Sequence, residues 1–206
     1  EAGRMKKLKF PTPDFAIMYS CDSFSSQPNF ATSDEAECCY TFVGPVARSW
    51  FTFIDDHQID RGKDLSAYKA IYLPLAKYQR KSVVERLAQY VRDGGTLVCG
   101  DPEAFSFDRD GSSLAALRED LFGVKLAEPN KQTSVVVDGQ TLPAAGGFDV
   151  TASPDAEVLG RFEDGKPALL SRKLGKGRAI YFAANPFTVK NLAEKSWKAY
   201  FTTLQT

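Results

Sequence analysis

The sequence predicts an α/β fold, a mainly parallel sheet with an antiparallel extension towards the C-terminus. Three observations carry this. First, Ala70-Ile71-Tyr72-Leu73 is a short apolar run that stops at Pro74, the pattern of a strand buried on both faces. Second, Val83, Val84, Leu87, Tyr90 and Val91 recur at helical spacing with charged residues between them. Gly94-Gly95 ends that helix, and Thr96-Leu97-Val98-Cys99 is another buried strand. A strand, a helix and a strand in this order make a parallel pair. Third, from Pro129 onward short β-prone runs alternate with Gly, Pro and Asp turns, the texture of antiparallel strands.

The elements follow in order. Phe10 to Pro13 is an extended, proline-punctuated approach to a first strand at Phe15–Tyr19. Residues 22 to 32 are polar and read as a loop. Ser33-Asp34-Glu35 starts a helix, with acids where the helix dipole favours them. It runs towards Trp50, and Gly44-Pro45 should kink or break it. Phe51–Ile54 is the second strand, and residues 58–67 lead to the third at Ala70. Ser82 with Glu85 forms a capping box for the helix that follows. Ser112 or Ser113 caps a helix through Leu121 and Phe122, closed by Gly123, and Val124–Leu126 offers a fifth strand. The later runs are Ser134–Val137, Val158–Phe162, Ala168–Ser171 and Ala179–Phe182, with hairpin turns at Asp164-Gly165 and Lys176-Gly177. Leu192–Leu204 reads as a final amphipathic helix with Trp197, Tyr200 and Phe201. Residues 1–206 are read as one domain.

Composition narrows the function classes. The chain of 206 residues carries 26 basic and 26 acidic residues, so no net field gathers nucleic acid or an anionic membrane, and neither is expected as a partner. With 43% hydrophobic and 12% aromatic residues it is a folded domain rather than a disordered one. No apolar run approaches the roughly 20 residues of a membrane span. The chain opens at Glu1, which reads as a piece of a longer protein; its compartment is left unknown. Cys21, Cys38, Cys39 and Cys99 have no zinc-site spacing, and the plain reading is buried thiols. No metal or cofactor is expected.

Three segments carry a family resemblance: Asp64-Leu65-Ser66-Ala67-Tyr68-Lys69, the run Tyr90 to Val98 (YVRDGGTLV), and Gly175-Lys176-Gly177-Arg178. Together, in this order, they resemble the trimerisation domain of β-galactosidases and related glycoside hydrolases, from about Phe15 to Phe187. The resemblance implies a class I glutamine-amidotransferase-like fold, a flavodoxin-like three-layer sandwich. It also implies a non-catalytic accessory role. The partners would then be other domains or subunits of a parent enzyme.

Chemistry in a parallel sheet belongs at the carboxyl ends of the strands. The candidate ligand-edge residues are Asp22, Cys99, Asp101, Glu103 and Asn185. Amidotransferases of this fold use a Cys–His–Glu triad with the cysteine in a G-x-C-x-G turn, near the place of Cys99. Here Leu97 stands where the first glycine belongs and Asp101 where the second does, and no histidine follows Cys99. His57 is the only histidine; in Asp55-Asp56-His57 it reads as a proton donor or ligand oriented by a carboxylate, or, more plainly, as a loop residue. Asp101 and Glu103 form the acid pair that a glycoside hydrolase needs, or else fasten a turn. Ser20 and Ser23 have no histidine partner pattern, and Gly175-Lys176-Gly177-Arg178 lacks phosphate-loop spacing. Tyr40, Phe42, Trp50, Phe51 and Phe53 read as core, an oligomer surface or a platform for sugar rings. An accessory domain, a carbohydrate or small-ligand module and a small hydrolase therefore stand as the three functional classes.

Overall fold

A computed structural model describes residues 12–26 and 33–192. Its main sheet has nine strands among the described residues. Five are parallel: β1 (Phe15–Tyr19), β2 (Phe51–Asp55), β3 (Ala70–Leu73), β4 (Thr96–Cys99) and β11 (Gly177–Phe182). Antiparallel β10 (Pro167–Leu174), β9 (Ala156–Arg161), β6 (Ser134–Val137) and β7 (Gln140–Pro143) continue it. The order across the sheet is β2-β1-β3-β4-β11-β10-β9-β6-β7. A second, two-stranded sheet pairs β5 (Val124–Pro129) with β8 (Phe148–Ala152). The result is the expected mixed α/β architecture, parallel on one side and antiparallel on the other.

Burial explains which strands sit in the middle. All four residues of β3 are buried, as a continuous apolar run requires when neighbours cover both faces. Helix α4 (Lys81–Arg92) turns Val83, Val84, Leu87, Tyr90 and Val91 inward and packs on β4 and β11. Helix α5 (Ala115–Phe122) stacks Phe122 against Phe105 and Tyr181, and ends at Gly123 in the left-handed conformation.

Several local expectations change. Cys21–Ser26, expected as loop, is a short helix, α1; Ser20 caps it, its Oγ accepting from the Ser23 N–H. Helix α2 (Ser33–Thr41) does change at Gly44-Pro45, by opening into one π-helical turn, Phe42–Val46, that accommodates the missing proline N–H. The capping box of α4 does not form. Arg80 holds the cap position, and Ser82 lies inside the helix, where its Oγ donates to Asp60 at the end of α3 (Asp56–Asp60). Leu114 rather than a serine stands at the cap of α5, while the Ser113 Oγ accepts from the Ala115 N–H. β7 and β8 were not anticipated, and β5 leaves the main sheet. The Gly175-Lys176 pair, one residue earlier than expected, forms the β10–β11 turn. The aromatic set divides: Phe42 is core, whereas Trp50 and Phe53 are each 53% exposed beside the open edge at β2. A last helix, α6 (Val189–Leu192), is described; the expected helix over 192–204 otherwise lies outside the described residues.

The three segments of the resemblance meet at the amino ends of the parallel strands. The Arg92 carbonyl accepts from the Lys176 N–H at 2.9 Å, and the Gly95 carbonyl from the Arg178 N–H at 3.2 Å. The Lys69 carbonyl accepts from the Thr96 N–H, and the Tyr90 hydroxyl donates to the Tyr68 carbonyl. Backbone approaches so closely that a Cβ at Gly177 would lie 2.2 Å from the Gly95 oxygen and 2.3 Å from the Val91 oxygen. Gly165, in the β9–β10 turn at φ +87°, has nothing within 4 Å of a built Cβ. Gly165→Ala is therefore expected to lose about 1 kcal/mol of stability, from the φ alone. Gly177→Ala should lose about 3 kcal/mol or more, because two carbonyls must move. Urea denaturation of both variants checks the order.

Candidate functional site

The loop that leaves β3, Pro74 to Arg80, organises the carboxyl edge. Nearly every polar group on it is matched to a neighbouring strand end. Asn185, beyond β11, donates from Nδ2 to the Pro74 carbonyl at 3.4 Å. The Ala76 N–H donates to Asp101 Oδ2 at 2.7 Å, and Lys77 Nζ meets Glu103 Oε1 at 2.7 Å. The Tyr78 backbone exchanges two hydrogen bonds with Ser23 Oγ. Gln79 Nε2 donates to Ser20 Oγ and, at 3.4 Å, to Asp56 Oδ2. Arg80 ends the loop between Asp22 and Asp60. Asp22 and Asn185 thus share one edge, at opposite ends of one loop.

Cys99 and the two acids near it sit in the middle of this edge. Cys99 is fully buried, its Sγ 3.5 Å from the Asp101 carbonyl. Burial, then the charge of Asp101, pushes its thiol well above the ordinary range. A nucleophilic cysteine needs the opposite shift and a base beside it. Gly100 follows because a Cβ there would lie 2.3 Å from the Phe187 ring. Asp101 is 5% exposed, and both its oxygens are taken, Oδ2 by the Ala76 N–H and Oδ1 by the Glu103 N–H. Glu103 is paired with Lys77. Asn185 Oδ1 accepts from the Phe187 N–H, closing the Asn185-Pro186-Phe187 turn. Each of these side chains is bonded to neighbouring protein groups, mostly backbone and Lys77.

A second cluster lies where β1 and β2 end. Asp22 is buried, its N–H donates to Asp56 Oδ2 at 2.9 Å, and its carboxylate meets Arg80 at 3.2 Å and Arg109 at 3.5 Å. Burial, then the charge of Asp56, raises the Asp22 carboxyl despite the arginines. The Cys21 thiol is pushed up to about 12 by burial, then by Asp56, with Asp55 and Asp22 adding. His57 Nε2 lies 3.8 Å from Asp56 Oδ1. Sequence reading missed Lys77, Gln79 and Arg80 as parts of the edge. The signal was the polar stretch that begins at Pro74, where a buried strand stops.

A cleft of about 620 Å³ lies at the opposite edge, among Asp64, Tyr68, Arg86, Tyr90 and Gly95. A groove of about 400 Å³ beside β2 is lined by Tyr19, Phe24, Glu37, Tyr40 and Phe53.

Asp101 carries a stability prediction. Burial raises its carboxyl from the ordinary 3.8 to about 6, although the Ala76 and Glu103 N–H groups pull it down. The folded value exceeds the unfolded one, so the contribution is fully present below about pH 4 and is lost as pH rises through about 6. Wild-type stability relative to Asp101→Asn should therefore fall by about 3 kcal/mol between pH 4 and 7. Asp101→Ala, which orphans both N–H groups, should lose about 2–4 kcal/mol at pH 7. Urea midpoints across pH check both. Native-state alkylation followed by mass spectrometry should leave Cys99 unmodified until the chain is unfolded.

Residues 16–201 match the family described as the β-galactosidase trimerisation domain. β-Galactosidase Pbg of Clostridium perfringens is 26% identical over 195 residues, which span 83% of this chain and 28% of Pbg. β-Galactosidase BglY of Alicyclobacillus acidocaldarius is 28% identical over 164 residues, 70% of this chain and 24% of BglY. The chain thus spans about a quarter of the length of these relatives. In structure it is similar to Gan42B, a GH42 β-galactosidase from G. stearothermophilus, with a TM-score of 0.76 at 20% identity over 94% of this chain and 29% of that one. With the family match extending over most of its length, the chain belongs to the β-galactosidase trimerisation domain family, an accessory and non-catalytic domain.

Proposed function

We propose that this chain is the assembly domain of a larger glycoside hydrolase of the β-galactosidase type, and that its partners are the other domains and subunits of that parent. The observation that carries this is the occupied carboxyl edge. Asp101, Glu103 and Asn185 are all bound to protein groups, and Cys99 is buried beside a carboxylate. The fold is an amidotransferase-like, flavodoxin-like sandwich whose nucleophile position has become structural. Two features support that reading: the strand order β2-β1-β3-β4, and the place of Cys99 at the end of β4. On this reading assembly needs no organic cofactor, and nucleic acid and membrane are not among the partners.

The surface for assembly is the β2 edge, the end of the sheet among the described residues, where Trp50, Phe53 and Tyr40 are exposed. A second reading, a carbohydrate module, rests on the groove beside that edge. It offers aromatic faces with the Glu37 carboxylate, the side-chain types that hold a sugar ring.

Light scattering on the intact gene product tests the assembly reading. The expected result is a trimer that hydrolyses a β-galactoside, and Phe53→Asp should shift it towards monomer with its unfolding midpoint unchanged. A monomeric intact protein would sink the proposal. Calorimetric titration of the protein with galactosides tests the second reading; a flat trace, with catalysis by the parent blocked, removes it for the sugars used.

A further inference from the structure

We propose that Cys21, Asp56 and His57 hold a divalent metal ion of the zinc type. The register of the sheet brings them together. Tyr19 of β1 pairs with Asp55 of β2 in parallel, so the two residues that follow Tyr19 lie beside the two that follow Asp55. One ligand atom from each of Cys21, Asp56 and His57 lies within 4.8 Å of the other two. His57 Nε2 and Asp56 Oδ1 are 3.8 Å apart. Zinc bonds of about 2.0–2.3 Å in a tetrahedron separate ligand atoms by about 3.3–3.7 Å, so a small closure of side chains makes the site.

The Asp56 carboxylate points to a ligand independently of this proximity. It is 0% exposed. Its Oδ2 is fixed by the Asp22 N–H at 2.9 Å and by Gln79 Nε2 at 3.4 Å. Its Oδ1, the atom turned towards His57, has no hydrogen-bond partner. A buried carboxylate held through one oxygen, with the other left over, is how outer partners orient a metal ligand. A thiol, an imidazole and a carboxylate suit zinc or cobalt rather than magnesium or calcium, which take oxygen ligands.

Arg80 does not close the site. Its Nη2 lies 3.3 Å from Nδ1 and 3.5 Å from Nε2 of His57. Both contacts are at hydrogen-bond distance, so a metal at the imidazole takes the place of Arg80, which turns back onto its carboxylate partners. The positive charge of Arg80 is matched by Asp22 and Asp60. Binding exchanges the Cys21 thiol proton for the metal, and the proton goes to solvent. His57, 42% exposed in its side chain, leaves the fourth position open to water.

The test is a titration of the purified, tag-free and chelator-stripped protein with Zn²⁺ and with Co²⁺. Wild type should take up one equivalent more than Cys21→Ser. Its Co²⁺ form should show the near-ultraviolet thiolate-to-metal charge-transfer band. Cys21→Ser should lose that band, and His57→Gln should bind at least about tenfold more weakly. Circular dichroism and denaturation midpoints establish that both variants fold, the second altering only a half-exposed side chain. A wild type that takes up no metal above Cys21→Ser overturns the proposal. So does a band that survives Cys21→Ser, or an affinity that is unchanged in His57→Gln.

Discussion

The Asp101 carboxylate is the tie on which the carboxyl edge depends. It binds the Ala76 N–H of the β3 loop through one oxygen and the Glu103 N–H of its own loop through the other. The loop after β3 is thereby fixed to the loop after β4 at the centre of the sheet. Everything beyond Ala76 follows from that position. Lys77 is brought to Glu103, Tyr78 to Ser23, Gln79 to Ser20 and Asp56, and Arg80 to Asp22. Burying a carboxylate is costly unless its oxygens are bonded, and here two backbone donors meet that condition. Two successive loops become one rigid surface.

The opposite edge works by contact rather than by charge. The Gly175–Gly177 turn lies so close to the end of α4 that a Cβ at Gly175 would meet the Arg92 backbone and one at Gly177 the Val91 and Gly95 carbonyls. The family segments are legible because this constraint tolerates so few residues. It also explains what the resemblance can convey. It identifies the scaffold that sets β4 beside β11, at the end of the strands away from Cys99 and Asp101. A chain can therefore be placed in this family with no site having been read.

The legible parts of the fold are those whose signal is local. β1, β3 and β4 fall where apolar runs between breakers place them, since burial on both faces leaves one pattern, and β6 is marked by its three valines. β7 and β8 were missed because QTLP and FDVTA alternate weakly and gain order only from partners elsewhere in the chain. Ser82 follows the same logic. Its spacing to Glu85 satisfies a capping box, but a long-range bond to Asp60 takes the hydroxyl. Of the edge, Asp22, Cys99, Asp101, Glu103 and Asn185 could be named in advance because each follows a strand. Gln79 and Arg80 could not, because their roles depend on a loop whose course is set from outside it.

The distribution of polarity across the molecule separates an assembly domain from an enzyme. An active site keeps unsatisfied donors, acceptors and shifted acids facing a cleft that admits substrate. Here the central acid is closed over by backbone donors and the thiol beside it is raised by burial. Meanwhile the face at β2, the last strand of the sheet among the described residues, carries the exposed Trp50 and Phe53, and exposed aromatic groups at a sheet edge suit an interface. The polar groups are turned inward to hold loops, and the apolar groups are turned outward where another surface can bury them. The Asp101 clamp stiffens the edge, and a stiff edge suits a domain that must present a fixed surface to its partners.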